Sequence, residues 1–142
     1  MRIGELAHAA GTTPRTVRYY EEIGLLAEAE ERTAGAHREY TDADVERLRQ
    51  ILRLKRLLGL SLDELHAVMA GEDARAERRR AWQETSDPVE RRKILLEAAG
   101  HTDGLMELVR RRKAELEAFE AELNDRRRRR PQLLDELEET VS

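Results

Sequence analysis

The chain has 142 residues, with charged and hydrophobic residues at 39% each and aromatics at only 4%. This is a composition of long helices, and it excludes a β-sandwich or a large core. Lys and Arg number 26 against 30 Asp and Glu, a net charge of −4, and no cysteine is present. Any nucleic-acid surface must therefore come from where the charges sit. Disulfides, thiolate metal centres, iron–sulfur clusters and cysteine catalysis are removed. The length fits about one domain with an extension. There is no apolar leader and no run of about 18 apolar residues, so the expected location is the cytoplasm.

Ile3, Leu6, Ala7 and Ala10 recur at i, i+3, i+4 and i+7, the stripe of a first short helix that Gly11 ends. Thr13 then offers an N-cap and Pro14 a first helical position, where its missing N–H costs nothing. That second helix runs to about Ile23, and Gly24 stops it. Two short helices joined by a Gly-containing turn form a helix-turn-helix pattern. Leu25 to Tyr40 has no helical stripe and carries the turn-like Thr33-Ala34-Gly35-Ala36, which predicts a short two-stranded ribbon. Thr41 and Asp44 open a third helix, whose buried side is Val45, Leu48, Leu52 and Leu54 to Leu58, and Gly59 stops it. Ser61 and Glu64 form a capping box for a fourth, with Leu62, Leu65, Val68 and Met69 buried and Gly71 as its close.

Beyond Gly71 the chain is charge-dense. Ala74 to Glu84 reads as helix, and Asp87-Pro88 as a restart. From there a helical pattern reaches about Arg130, with Gly100 and Gly104 leaving open a division into two helices. Val109, Leu116 and Leu123 are seven apart, with Leu105 and Phe119 at the alternate positions and Arg112 interrupting, a short heptad seam. Pro131 is expected to end this helix, with Leu133, Leu134 and Leu137 on a short returning one.

On a helical wheel, Arg15, Arg18, Tyr19 and Glu22 share one side of the second helix, and Val17, Tyr20 and Gly24 the other. The second helix of such a motif enters the DNA major groove. Arginine there can hold guanine bidentately or a phosphate. The alternative is an ordinary solvated face.

The runs Ile3-Gly4-Glu5-Leu6-Ala7, Thr13-Pro14-Arg15-Thr16-Val17-Arg18-Tyr19-Tyr20-Glu21 and Gly24-Leu25-Leu26 resemble the N-terminal module of MerR-family transcription regulators. His37-Arg38-Glu39-Tyr40 resembles that family's wing, and Leu57-Leu58-Gly59-Leu60-Ser61-Leu62-Asp63-Glu64-Leu65 the start of its fourth helix. Ala36 departs from the second glycine frequent in that wing. The resemblance covers about residues 1–70. It implies a mainly all-α chain: a winged helix-turn-helix with a short β wing, then a long helix pairing antiparallel with its copy. The implied divisions are a DNA-binding domain at 1–71 (helix-turn-helix about 3–24, wing about 25–40) and linking helices with a candidate effector region at 72–101. A coiled-coil helix at 102–130 and a short helix or tail at 131–142 follow.

What the resemblance implies for residues is Arg15, Thr16, Arg18 and Tyr19 at the groove, with Arg2 and Thr13 beside them and Arg38 and Tyr40 gripping phosphate from the wing. Tyr20 points toward the core on the wheel, though its hydroxyl is a candidate for a phosphate at the edge. Arg53 and Arg56 stand evenly between DNA contact and solvated face. Leu105, Val109, Leu116, Phe119 and Leu123 are the expected dimer seam, with intramolecular packing as the alternative. Residues 1–60 hold ten Lys and Arg and ten Asp and Glu. A neutral DNA-binding module requires segregated charge, with Glu28, Glu30 and Glu31 facing away and Arg2, Arg15, Arg18, Arg32 and Arg38 facing the duplex.

The implied partners are double-stranded promoter DNA, a second copy, RNA polymerase indirectly, and an unidentified small-molecule inducer. The family acts by distorting promoter DNA, at a cost of a few kcal/mol that dimer contacts offset. No cofactor is expected. His8, His37, His66 and His101 are never paired at metal-ligand spacing, so no metal site is expected. Trp82 is an effector candidate, although packing of its helix is the stronger reading. The Arg126 to Arg130 run is a solvated helix end or a second DNA contact. No phosphate loop, HExxH or Gly-x-Ser-x-Gly exists, so an enzyme is not expected. The competing reading is a DNA-architectural or excisionase-like winged protein without an inducer.

Overall fold

The computed structural model describes residues 1–27 and 39–141. Among these lie five helices and no strand: α1 (Ile3–Ala10), α2 (Pro14–Glu22), α3 (Asp42–Leu58), α4 (Leu62–Glu84) and α5 (Pro88–Val141). The expected wing falls for the most part on 28–38, outside the described residues, and Arg38 with it. The chain divides into two compact units, Met1–Ala99 and Gly100–Ser142.

Within the first unit, punctuation sets the elements. Gly11 closes α1 in the left-handed region at φ 74°, its N–H donating back to α1 carbonyls. The Thr13 hydroxyl oxygen accepts from the Thr16 N–H, with Pro14 in the first turn. Thr41 with Asp44, and Ser61 with Glu64, each form both halves of a capping box. These caps satisfy backbone donors that the first turn leaves without helical partners. α1 packs against α2 and α3, and α3 against α4. Leu6, Val17, Leu26, Leu48, Ile51, Leu65 and Met69 fill the core.

Several expectations on helix bounds are corrected. Gly71 does not close α4, which runs on to Glu84; among the described residues, positive φ occurs at Gly11, Gly24 and Gly59. A glycine inside a helix costs about 1 kcal/mol relative to alanine, too little to break one that is held on both sides. The following turn is tied to α3 by Arg47, whose guanidinium grips both Asp73 carboxylate oxygens at 2.6 and 3.2 Å. α5 is continuous through Gly100 and Gly104, and it also passes through Pro131. A proline removes one ladder bond and strains one turn, and regular helix resumes beyond it. Leu57 is 53% exposed, because it is rotated off the stripe that Ile51, Leu54 and Leu58 bury. Leu62, in the first turn of α4, is exposed as well.

Arg91 ties the turn between α4 and α5, beside an Asp87 N–H that donates to the Thr85 hydroxyl at 3.2 Å. Arg91 donates from Nε to the Thr85 carbonyl at 2.9 Å and from Nη2 to the Trp82 carbonyl at 3.2 Å. Its guanidinium also lies 4.5 Å over the Trp82 ring. A cation thereby satisfies carbonyls at the negative end of α4 while stacking on an aromatic face. Asp87 opens α5 by accepting from the Val89 N–H at 3.1 Å.

Leu48 has no exposed surface. Leu48→Ala is expected to destabilise the first unit by about 2–5 kcal/mol through lost transfer energy and a residual cavity, read as a lower urea midpoint at unchanged slope.

Candidate nucleic-acid interface

α2 separates its residues by face as the wheel predicts. Val17 is 0% exposed and Tyr20 2%, while Arg15, Arg18, Tyr19 and Glu22 are exposed. Burial of one side thus fixes the direction of the other, and two arginines project together from a capped helix. The Tyr19 and Tyr20 rings lie 5.4 Å apart, tilted. Thr16 is half-buried, with its hydroxyl 3.1 Å from that of Thr13. Arg2 is the exposed N-cap residue of α1.

The other two tyrosines, Tyr20 and Tyr40, are buried. Tyr40 is 3% exposed, and its hydroxyl donates to the buried Glu21 carboxylate on α2. The resemblance sets this hydroxyl at a phosphate; in the structure it serves a carboxylate inside the core, where a buried charge needs a donor. The Tyr20 ring is likewise a core residue, with Lys55 Nζ 5.9 Å above it. The chain leading into α3 is held from the other side by the N-terminus. The Met1 carbonyl accepts from the Tyr40 N–H at 2.8 Å, and the Met1 ammonium donates to the Tyr40 carbonyl at 2.9 Å and to Glu39.

α3 adds Arg49 and Lys55 to the Arg53 and Arg56 that the sequence already offered. A groove between the α1–α2 turn and α3 is lined by Gly11, Thr12 and Thr16 on one side and by Arg49, Arg53 and Arg56 on the other, with Lys55 beside them. Arg53 and Arg56 are both exposed. Arg49 donates from Nε and Nη2 to the Ala9 carbonyl at 3.2 and 2.8 Å, so it also closes the C-terminus of α1. The signal was legible, because Arg49, Arg53 and Arg56 recur at i, i+4 and i+7 on one helix face.

The expected seam lies on α5, none of whose residues is buried. Leu105 and Val109 are half-buried, whereas Leu116, Phe119 and Leu123 are exposed, Leu116 by 53%. Trp82, the effector candidate, is half-buried under Arg91 in the α4–α5 turn. No group of three or more His, Asp or Glu that could hold a metal occurs among the described residues, and no helix among them is long and apolar enough to cross a membrane.

A short helix pair joined at a left-handed glycine, with arginines projecting from the second helix, defines a helix-turn-helix DNA-binding module. Residues 1–72 match the family described as MerR HTH family regulatory protein, and the chain belongs to that family. This places it among DNA-binding transcription regulators, which are not enzymes. It is 32% identical over 123 residues, 87% of each chain, to the HTH-type transcriptional regulator YfmP of Bacillus subtilis. It is 54% identical over 70 residues to the nodulation protein NolA of Bradyrhizobium elkanii, a match that spans 49% of this chain and 31% of that protein. The transcription regulator PbrR691 of Ralstonia metallidurans, crystallised with lead(II), is similar at a TM-score of 0.50 and 33% identity, over 90% of this chain and 85% of that one.

Core placement of Tyr40 has a direct check. Tyr40→Phe is expected to cost about 1–3 kcal/mol of stability, because it removes a donor from a buried carboxylate. DNA affinity per folded molecule is expected to change less than about 2-fold. A loss of affinity without loss of stability would return the hydroxyl to the phosphate role.

Proposed function

We propose that this protein binds a pseudo-palindromic promoter operator as a homodimer and regulates transcription by distorting the DNA it holds. The observation that carries the reading is the α2 face. Arg15, Arg18 and Tyr19 are exposed on a helix whose opposite face is locked by Val17 and Tyr20. Arg15 and Arg18 read base edges or grip groove walls, and Thr13 and Thr16 position the helix start. Arg2 from α1, Arg53 and Arg56 from α3, and Arg38 from the wing hold backbone phosphates. Phosphate contacts set register, and base contacts set sequence.

Leu105, Val109, Leu116, Phe119 and Leu123 then pair with a second copy. Each half-site is read by one module, with half-sites about one helical turn apart. The exposed apolar stripe on α5 supports this, because a large unpartnered apolar stripe on a soluble chain marks an association surface. Residues 1–71 are the DNA-binding domain, 72–101 the linking region, 102–130 the pairing helix and 131–142 the tail. Lead(II) is a soft, thiolate-seeking cation, and a chain without cysteine does not fit it. We therefore assign no metal response, and any inducer is a small molecule of other chemistry. The cytoplasm is the compartment this function requires.

Arg18→Ala is expected to weaken specific binding by about 1–3 kcal/mol, roughly 5–150-fold, with thermal stability unchanged. Unchanged specific affinity removes the groove assignment. Leu116→Asp is expected to leave the helix-turn-helix folded while solution mass falls from two chains to one and tight operator binding is lost. Binding measured against salt is expected to give a steep negative log–log slope, close to −0.9 per phosphate neutralised. A slope near zero overturns the DNA reading.

A further inference from the structure

The last part of α5, residues 126–141, is exposed along its whole length. Its charges fall in two blocks. Arg126 to Arg130 are all cationic, and Asp135, Glu136, Glu138 and Glu139 follow with no Lys or Arg among them. Ion pairs along a helix join residues three or four apart. Earlier in α5 that spacing is used: Arg110, Arg111, Arg112 and Lys113 each have Glu107, Glu115 or Glu117 at it, and Arg112 lies 3.8 Å from Glu115. In the last part it is used at Asp125, which holds Arg129 at 3.1 Å. Arg127 and Arg130 have no carboxylate three or four positions away, and no Lys or Arg lies within four positions of any of the four acids. The two blocks are spaced beyond the reach of pairing with each other on one helix.

Leu133, Leu134, Leu137 and Val141 are exposed and recur at i, i+1, i+4 and i+8, one stripe of the helix. Arg129 and Glu136, seven apart, border that stripe on one side. Arg127 and Glu138, eleven apart, border it on the other. We infer that residues 126–141 are a docking surface for the same stretch of a second copy of this chain, lying antiparallel. With the two-fold between Gln132 and Leu133, Arg129 meets Glu136 of the second copy, and Arg127 meets its Glu138. Leu133 meets Leu133 of the second copy. In an antiparallel pair each border of a stripe faces the same border of its copy, so both ion pairs form, each of them twice.

Charge complementarity selects this occupant. A polyanion would take the arginine block, be repelled by the acidic block and leave the leucines uncovered. A basic surface would do the reverse. A second copy uses both blocks and the stripe at once. An in-register parallel pair sets each block against itself, which like-charge repulsion opposes. The surface is separate from the seam at Leu105 to Leu123, because Arg126 and Arg130 occupy the next two heptad positions, where a guanidinium ends an apolar seam. The docking therefore does not rest on the homodimer proposed above. Where both form, it joins one homodimer to another.

The test is the solution mass of the full chain at about 0.05 M and about 0.5 M salt, since exposed ion pairs are screened at the higher value. A low-salt mass at least about two-fold the high-salt mass is the expected result. One variant carries Glu136→Arg and Glu138→Arg, and a second carries Arg127→Glu and Arg129→Glu. Each by itself is expected to keep its high-salt mass at low salt, and an equimolar mixture of the two to regain the rise. The mixture also shows that both variants remain folded. No rise at low salt overturns the docking, as does a rise that either variant keeps alone, or a mixture that stays flat. A rise that needs added DNA assigns the arginine block to a polyanion and overturns it too. The high-salt mass reads the homodimer separately. Two chains there without a low-salt rise removes the docking and keeps the homodimer. One chain there with a charge-dependent rise removes the homodimer and keeps the docking.

Discussion

A helix of nine residues, such as α2, does not hold its shape in water alone, because nucleation is costly and too few bonds follow. Everything functional on α2 therefore depends on Val17 and Tyr20 being pulled into the core, and on Thr13 and Pro14 fixing where the helix begins. Those few contacts order the helix and also fix its rotation. Once one side is buried, Arg15, Arg18 and Tyr19 have only the solvent side to occupy. The same packing that stabilises the module thus presents its cations, and no separate device is needed to aim them.

The charge balance of the module makes this aiming necessary. Over residues 1–60, cations and anions are equal in number, so attraction to a polyanion depends on segregation. The structure separates them in a particular way. Glu21 is taken inside and bound by Tyr40, Asp44 is engaged in a capping box, and Glu39 is held by the Met1 ammonium. Anions used for folding are neutralised locally by donors, while Arg15, Arg18, Arg53 and Arg56 keep exposed positions. A neutral total is therefore compatible with a positive face.

Legibility in the sequence followed the range of the forces involved. α1, α2 and the starts of α3 and α4 were readable, because a cap, a proline and a left-handed glycine act within a few residues. The inward turn of Val17 and Tyr20 was readable from periodicity alone. Gly71 and Pro131 misled, since a breaker's small local cost is overridden wherever flanking helix or a tertiary tie such as Arg47 to Asp73 holds the chain. The Tyr40 partner was not legible for a related reason. Nothing within a few positions of it announces Glu21, which lies 19 residues away in sequence. Arg49 was legible on one face with Arg53 and Arg56, but its tie to the Ala9 carbonyl was not, because a backbone acceptor leaves no trace in composition.

The two halves of the proposed mechanism constrain one another. One module offers a short recognition helix and a few cations, enough for weak, salt-sensitive attachment. Linking two such modules makes the second contact intramolecular, which multiplies affinity only when their spacing matches the target. A rigid pairing helix supplies fixed spacing, and a flexible linker does not. A dimer whose half-site separation is set by packed side chains can also hold DNA in a shape it would not adopt alone, because the deformation is opposed by contacts that cannot slide. Any ligand that controls this protein has to act by favouring one arrangement of the two modules over another, since a ligand with equal affinity for both shifts nothing. At the α4–α5 turn, Arg91 joins the end of α4 to the start of α5 through two carbonyls and one ring.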